Sequence, residues 1–230
     1  MQIERAGAQA GRDGEELLAR LRRIAAGQEG ALLRISRPEP TVAFGRRDEL
    51  NPGYAAAAAA VRAAGFAPIV RKVGGRAAAY HRTCLIVDHL QPARDATSGN
   101  LERYREFGAL WVRALADLGV EAGVGELPRE YCPGEFSVHA RLPDGSRTKL
   151  VGTAQRVVAG GWWFSAAVVV GGREPLAEVL TEAYARLGLD LDPATVGSVE
   201  QAVPEARWED VEDAVLAEYE RWDGPCADGT

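Results

Sequence analysis

Sulfur and imidazole are scarce in this chain, and the scarcity excludes several kinds of protein. Cys84, Cys132 and Cys226 lie far apart, and the 230 residues hold three histidines. With no CxxC pair and no Cys/His cluster, neither a disulfide framework nor a structural zinc site is indicated. No apolar run reaches the roughly 18 residues that a membrane span needs. The opening Met1-Gln-Ile-Glu-Arg has no basic-then-apolar leader, so a soluble cytoplasmic protein is expected. Excess positive charge is lacking too. The formal net charge of -6 argues against a general nucleic-acid binder. Neither the P-loop spacing nor the dinucleotide fingerprint occurs.

What is present suffices for a sizeable core. The apolar share of 47% is ordinary for a globular chain, and the length suits one large domain or a large domain with a small appendage. Asp13 followed by Glu16 reads as a helix start, with Leu17, Leu18, Leu21 and Ile24 on one face and Gly27 at the close. Strands are expected over 31–36 and from Thr41 to Phe44. Asn51-Pro52 then reads as the start of an alanine-rich helix. Strands follow over 66–71 and from Cys84. A helix running to about Leu118 shows Phe107, Leu110, Trp111 and Leu115 on one face. Glycine turns divide 136–142, 149–158 and 162–170 into an antiparallel meander. Helices from Glu174 to Leu187 and from Trp208 to Trp222 complete the chain, with a linker between them and a flexible tail carrying Cys226.

Two neighbouring stretches carry chemistry. Arg129-Glu-Tyr-Cys-Pro-Gly-Glu-Phe-Ser-Val sets Cys132 in a Pro/Gly turn, and Arg147-Thr-Lys-Leu-Val-Gly-Thr-Ala-Gln-Arg sets Lys149 in a strand. A thiol becomes an acyl carrier once deprotonated, and a nearby ammonium favours the thiolate. The same residues also fit a buried cysteine and a surface lysine beside a hairpin. Upstream, Gly74 and Gly75 are flanked by Arg71, Lys72 and Arg76. Such a turn can cradle an anionic or polar group, or be a hairpin with charged flanks. His81 and His139 read as structural. A turn near 144–145 sets Lys149 opposite a residue near Ala140. Cys132 is about eight residues away, or roughly 25 Å of extended strand. The Cys132 loop must therefore fold back if thiol and amine are to meet.

Val70-Arg-Lys-Val-Gly-Gly-Arg-Ala-Ala-Ala-Tyr-His81 resembles the Arg-Arg-x-x-Gly-Gly-x-Ala segment of the biotin/lipoate protein ligase superfamily. Lys149-Leu-Val-Gly-Thr-Ala-Gln resembles its Lys-x-x-Gly-x-x-Gln motif, and the likeness spans about Leu32 to Leu187. Tyr131-Cys-Pro-Gly is similar to the cysteine-dependent octanoyl/lipoyl amidotransferases of the lipoate-protein ligase A family. The resemblance implies an α+β fold with a mixed, largely antiparallel sheet flanked by helices. It implies a catalytic domain over 1–188, with 189–230 as linker, helix and tail.

The activity implied is transfer of an octanoyl or lipoyl group to a lysine of a lipoyl domain, with no cofactor and no metal. Cys132 would be the thioester nucleophile and Lys149 its charge or proton partner. Arg71, Gly74, Gly75, Arg76, Ala77, Tyr80 and Gly152 would bind substrate. The implied partners are glycine cleavage H-type proteins or dehydrogenase E2 subunits, docking at Arg46, Arg47, Arg71 and Arg82. The alternative is an ATP-dependent lipoate-protein ligase, with ATP and Mg near Arg46, Arg71, Lys72 and Lys149. A third reading is a non-catalytic lipoyl-domain or acyl-binding protein. Arg76 departs from the pattern, standing where the family has a glycine or another small residue.

Overall fold

Runs of apolar residues, rather than alternation, mark the central strands. In the computed structural model, which describes residues 1–7, 14–222 and 224, β6 (Cys84–Pro92) is buried from Cys84 to Leu90. Its neighbour β10 (Gly161–Val169) is almost as enclosed. Strands covered on both faces carry this composition. The expected cap at Asp13 and the tail bearing Cys226 lie outside the described residues.

β10 pairs antiparallel with β6 on one side and with β9 (Arg147–Val158) on the other. Beyond β9 lie β8 (Val138–Arg141) and β7 (Ala122–Val124), and beyond β6 lie β2 (Leu32–Ser36) and β1 (Gln2–Ala6). Only the β1–β2 pair of these seven described strands is parallel. This is the mixed, largely antiparallel sheet that the resemblance implied. A second described sheet has the order β4 (Ala67–Val70), β3 (Thr41–Phe44), β5 (Ala78–Tyr80).

Alternation along β6 and β10 then assigns the faces. Leu85, Val87, Trp162, Phe164 and Val168 pack against α4 (Asn100–Asp117) and α6 (Trp208–Glu220), meeting Phe107, Trp111, Val215 and Tyr219. His89 lies among Phe107, Trp162, Tyr219 and Trp222, with ring centroids 4.7 to 5.5 Å away. The opposite face turns Ile86, Ser165 and Ala167 toward the small sheet. Their modest size leaves a cavity of about 220 Å³ between the sheets. α1 (Gly14–Ala25) closes one side of it with Leu17, which packs with Trp163. The small sheet is backed by α3 (Tyr54–Ala63) and α5 (Arg173–Leu187), through Ala57, Val61, Leu180 and Ala183.

One local expectation changes. Asn51 does not cap α3: its Oδ1 accepts from the Gly53 N–H at 2.8 Å, forming a turn before the helix. Its amide donates to the Leu187 carbonyl at 3.0 Å, tying α3 to the end of α5. Gly45-Arg46-Arg47 leads into one helical turn, α2 (Arg46–Glu49). Ahead of α4, Asp95 accepts from the Thr97 and Ser98 N–H groups, each at 3.1 Å. Among the described residues no helix is long and apolar enough to cross a membrane.

Candidate functional site

A buried carboxylate organises the loop that carries the thiol. Glu130, 1% exposed, accepts from the N–H groups of Leu127 (3.3 Å) and Gly134 (3.2 Å) and from the Ser137 hydroxyl. It also accepts from Lys149 Nζ at 3.2 Å. Around this hub the chain bends sharply enough to put two non-glycine residues, Arg129 (φ 57°) and Cys132 (φ 43°), in the left-handed region. The fold-back that extended geometry demanded is made here.

Lys149 secures it from below. Facing His139 across the β8–β9 ladder, it is 1% exposed. Its Nζ donates to the carbonyls of Tyr131 at 2.9 Å and Cys132 at 3.0 Å, besides Glu130. An ammonium has three N–H donors, and these three acceptors match them. Burying a charge is tolerable when it is paired and fully hydrogen-bonded in this way.

The sulfur itself faces a different cation. Arg71 Nη2 lies 3.0 Å from Cys132 Sγ, and the Arg76 main-chain N–H donates to the same sulfur at 3.3 Å. Burial pushes the thiol up, but the charges of Arg71 and then Lys149, with these two hydrogen bonds, outweigh it. The net effect holds Cys132 below the ordinary thiol range. Arg71 also donates to the Arg76 carbonyl. The hydroxyl of Tyr184 accepts from the Cys132 N–H at 2.6 Å and donates to the Ala77 carbonyl at 3.0 Å, joining the loop to the strand beyond the glycine turn.

Two spaces open from this sulfur. On one side Gly74, Gly75, Tyr104, Pro133 and Phe136 wall a cleft of about 280 Å³. The rings of Tyr104 and Phe136 stack there at 4.9 Å. On the other, Arg71, Tyr80 and Gly152 line a narrow throat that shares Arg71, Val73, Tyr80, Ser165 and Ala167 with the inter-sheet cavity. A Cβ on Gly75 would fall 2.6 Å from the sulfur and 2.1 Å from Arg71 Nη2, so glycine is what lets the turn come this close.

Most of the expected residues thus meet, though in altered roles. Cys132 and the Gly74–Gly75 turn share a cleft, whereas the Lys149 ammonium sits behind the loop. Arg76 reaches the sulfur through its main chain, and its guanidinium turns away to Asp48 at 2.9 Å. Ala77 is buried and takes part through its carbonyl. Arg71 is withdrawn from the expected docking patch, while Arg46 pairs with Glu49 and Arg82 with Glu39.

Glu130 and Tyr184 were not foreseen. The first is two residues from the cysteine, and nothing in its neighbours announces burial. The second reads as one more apolar position of α5. Among the described residues no group of three His, Cys, Asp or Glu side chains could hold a metal ion.

The profile of the lipoyl protein ligase A/B catalytic domain matches residues 15–220. The chain belongs to this family. Within it, an octanoyl-[GcvH]:protein N-octanoyltransferase of Geobacillus kaustophilus is 29% identical over 165 residues, 72% of this chain. The match spans 56% of that protein, so the chain covers little more than half of its relative's length. Among solved structures, a lipoate-protein ligase A bound with ATP superposes with a TM-score of 0.68 at 18% identity, covering 96% of this chain and 84% of that one. A bipartite lipoate protein ligase studied with its E2 lipoyl domain, from Thermoplasma acidophilum, gives 0.66 at 18% identity, covering 96% and 82%. At this identity the superpositions establish a shared fold.

Proposed function

We propose that this family member is a cofactor-free acyltransferase that moves an octanoyl or lipoyl group between lysines of lipoyl-domain proteins through a Cys132 thioester. The observation that carries the reading is the sulfur, held by Arg71 and the Arg76 N–H between a cleft and a narrow throat that leads toward the inter-sheet cavity. Leu17, Ile69, Val73, Ile86 and Trp163 give the cavity the lining that a medium-length acyl chain needs. The open cleft gives a lysine on another protein its approach. The octanoyltransferase named among the relatives supports octanoyl transfer.

In the first half-reaction the Cys132 thiolate attacks the acyl carbonyl of the donor amide. The C–N bond breaks, and the departing lysine amine takes up a proton. In the second, the neutral amine of the acceptor lysine attacks the thioester carbonyl, the C–S bond breaks, and that amine gives up a proton. The thiolate is restored and the protons balance. Arg71 and the Arg76 N–H stabilise the sulfur as nucleophile and as leaving group. Lys149 adds its charge and fixes the loop. Acceptors of the H-protein or E2 type fit the cleft's demand for a lysine presented on a folded domain.

The adenylating alternative fits less well. Of the cations it would set around a triphosphate, Arg71 contacts the thiol and Lys72 pairs with Glu15. Arg46 pairs with Glu49, and Lys149 holds Glu130 and two carbonyls.

Intact-protein mass spectrometry with an octanoylated lipoyl domain as donor tests the proposal. A hydroxylamine-labile octanoyl adduct is expected without ATP, and none on Cys132→Ser. Full turnover by Cys132→Ser, or acceptor modification only with ATP and free octanoate, would overturn it.

A further inference from the structure

Both donors to the sulfur converge on residue 76. The Arg76 N–H touches it directly, and its carbonyl accepts from Arg71 Nη2, the same atom that lies on the sulfur. Residue 76 is in turn anchored from outside the loop. Asp48, fully buried, accepts from Arg76 Nη1 through Oδ1 and from the Gly45 N–H through Oδ2, each at 2.9 Å. Charge-assisted bonds of this kind are strong and directional. The turn that bears Asp48 is also pressed against the glycine turn. A Cβ on Gly45 would fall 1.8 Å from the Gly75 carbonyl oxygen, so the two backbones touch only because position 45 is glycine.

We infer that Asp48 is a positioning residue for the thiol: through Arg76 it holds the main-chain N–H and the Arg71 guanidinium on Cys132 Sγ, and so sets the reactivity of that sulfur. The inference draws its purpose from the acyltransfer reading, but thiol reactivity is measurable without any acyl donor.

Sign separates this role from a plain charge effect. Asp48 is an anion, so deleting its charge would by electrostatics alone favour the thiolate and lower the thiol pKa. Deleting a positioning group loosens both donors and raises it. The other ionisable groups facing the sulfur are Arg71, Tyr80 of β5, Tyr104 of α4, Tyr131, Lys149 of β9 and Tyr184 of α5. All of them are unchanged in the variants below.

The experiment is alkylation of Cys132 by iodoacetamide as a function of pH, read by peptide mass spectrometry to separate it from the other cysteines. Asp48→Asn is expected to raise the thiol pKa by about one unit and slow alkylation at pH 7 on the order of tenfold, since the thiolate is the reacting form. Arg76→Lys, which leaves a cation for Asp48, should lie closer to wild type. A folded Asp48→Asn protein with an unchanged or lowered thiol pKa overturns the inference. If that variant does not fold, Asp48→Glu keeps the charge and displaces the carboxylate, and the same rise is expected; no rise overturns it. In the wild-type protein the ¹⁵N–¹H resonance of Arg76 should titrate with the thiol, and an invariant resonance likewise overturns the arrangement. Should the thiol respond to Asp48 while no acyl-enzyme forms, the acyltransfer reading falls and this inference stands. An acyl-enzyme whose thiol ignores Asp48 gives the reverse.

Discussion

Lys149 reaches Cys132 through the main chain: its Nζ donates to the Cys132 carbonyl at 3.0 Å, while the sulfur faces Arg71, also at 3.0 Å. The amine holds the loop and the guanidinium holds the thiol. Two cations near one sulfur therefore have separable tasks, and substitutions should separate them.

Lys149→Ala leaves Glu130 buried with its charge uncompensated and frees two loop carbonyls. Removing one partner of a buried pair destabilises by about 3–5 kcal/mol, so a fall of that order is expected in urea denaturation, together with loss of transfer. Lys149→Met combined with Glu130→Gln should recover much of the stability, because neither charge is then stranded, and little of the activity. A Lys149→Ala protein as stable as wild type would contradict this assignment.

Arg71→Gln should act on the thiol with less effect on the fold. Without the guanidinium the thiol loses the largest charge that favours its ionised form, and its pKa rises. The acid limb of the rate profile then moves to higher pH. At pH 7 transfer should drop about tenfold for each pH unit the limb moves above 7, and recover as the pH is raised. A loss equal at every pH would mean that Arg71 works on something other than ionisation.

The two glycines of the turn should respond differently to alanine. At Gly75, φ is 108° and a Cβ would meet both Arg71 and the sulfur, so Gly75→Ala should abolish acyl-enzyme formation. At Gly74 the nearest heavy atom to a Cβ is the Gln155 carbonyl oxygen at 4.0 Å. Gly74→Ala should keep most of the activity. Single-turnover formation of the thioester compares them directly.

His89 predicts an acid limit on stability. Burial strips water from the ring, disfavours its charged form and pushes its pKa down to about 3. A neutral imidazole in the fold, against an unfolded pKa of about 6.5, binds a proton less readily than the unfolded chain. Its contribution is therefore complete above about pH 6.5 and is lost progressively as the pH falls toward 3. Over the first two pH units the loss is on the order of 2 kcal/mol. His89→Phe should flatten that part of the profile, measured by denaturant midpoints from pH 7 to 4.

The sequence made legible what depends on local rules. The meander of β8, β9 and β10 follows from glycine turns, and Thr41–Phe44 and the end of α5 at Gly188 appear where apolar pattern and left-handed glycine put them. β1 was hidden because its Glu4 and Arg5 look like solvent-exposed charge. On the sheet edge they pair with Arg20 and Glu212, each at 2.6 Å, and charged edges of this kind discourage further strand pairing. The motif residues were legible as a set, but not their division of labour. That Lys149 lies under the loop depends on Glu130, whose partners come from four positions between residues 127 and 149. Only the folded chain brings Asp48 to Arg76, or Tyr184 to Cys132.

The left-handed backbone at Cys132 sets local comfort against chemistry. Glycine occupies that conformation freely, whereas a residue with a Cβ is strained there by about 1–2 kcal/mol. A chain optimised for folding alone would carry glycine at position 132, and its loop would rest more easily over Glu130. Arg129 shares that conformation, so the loop stores strain at two positions around Glu130.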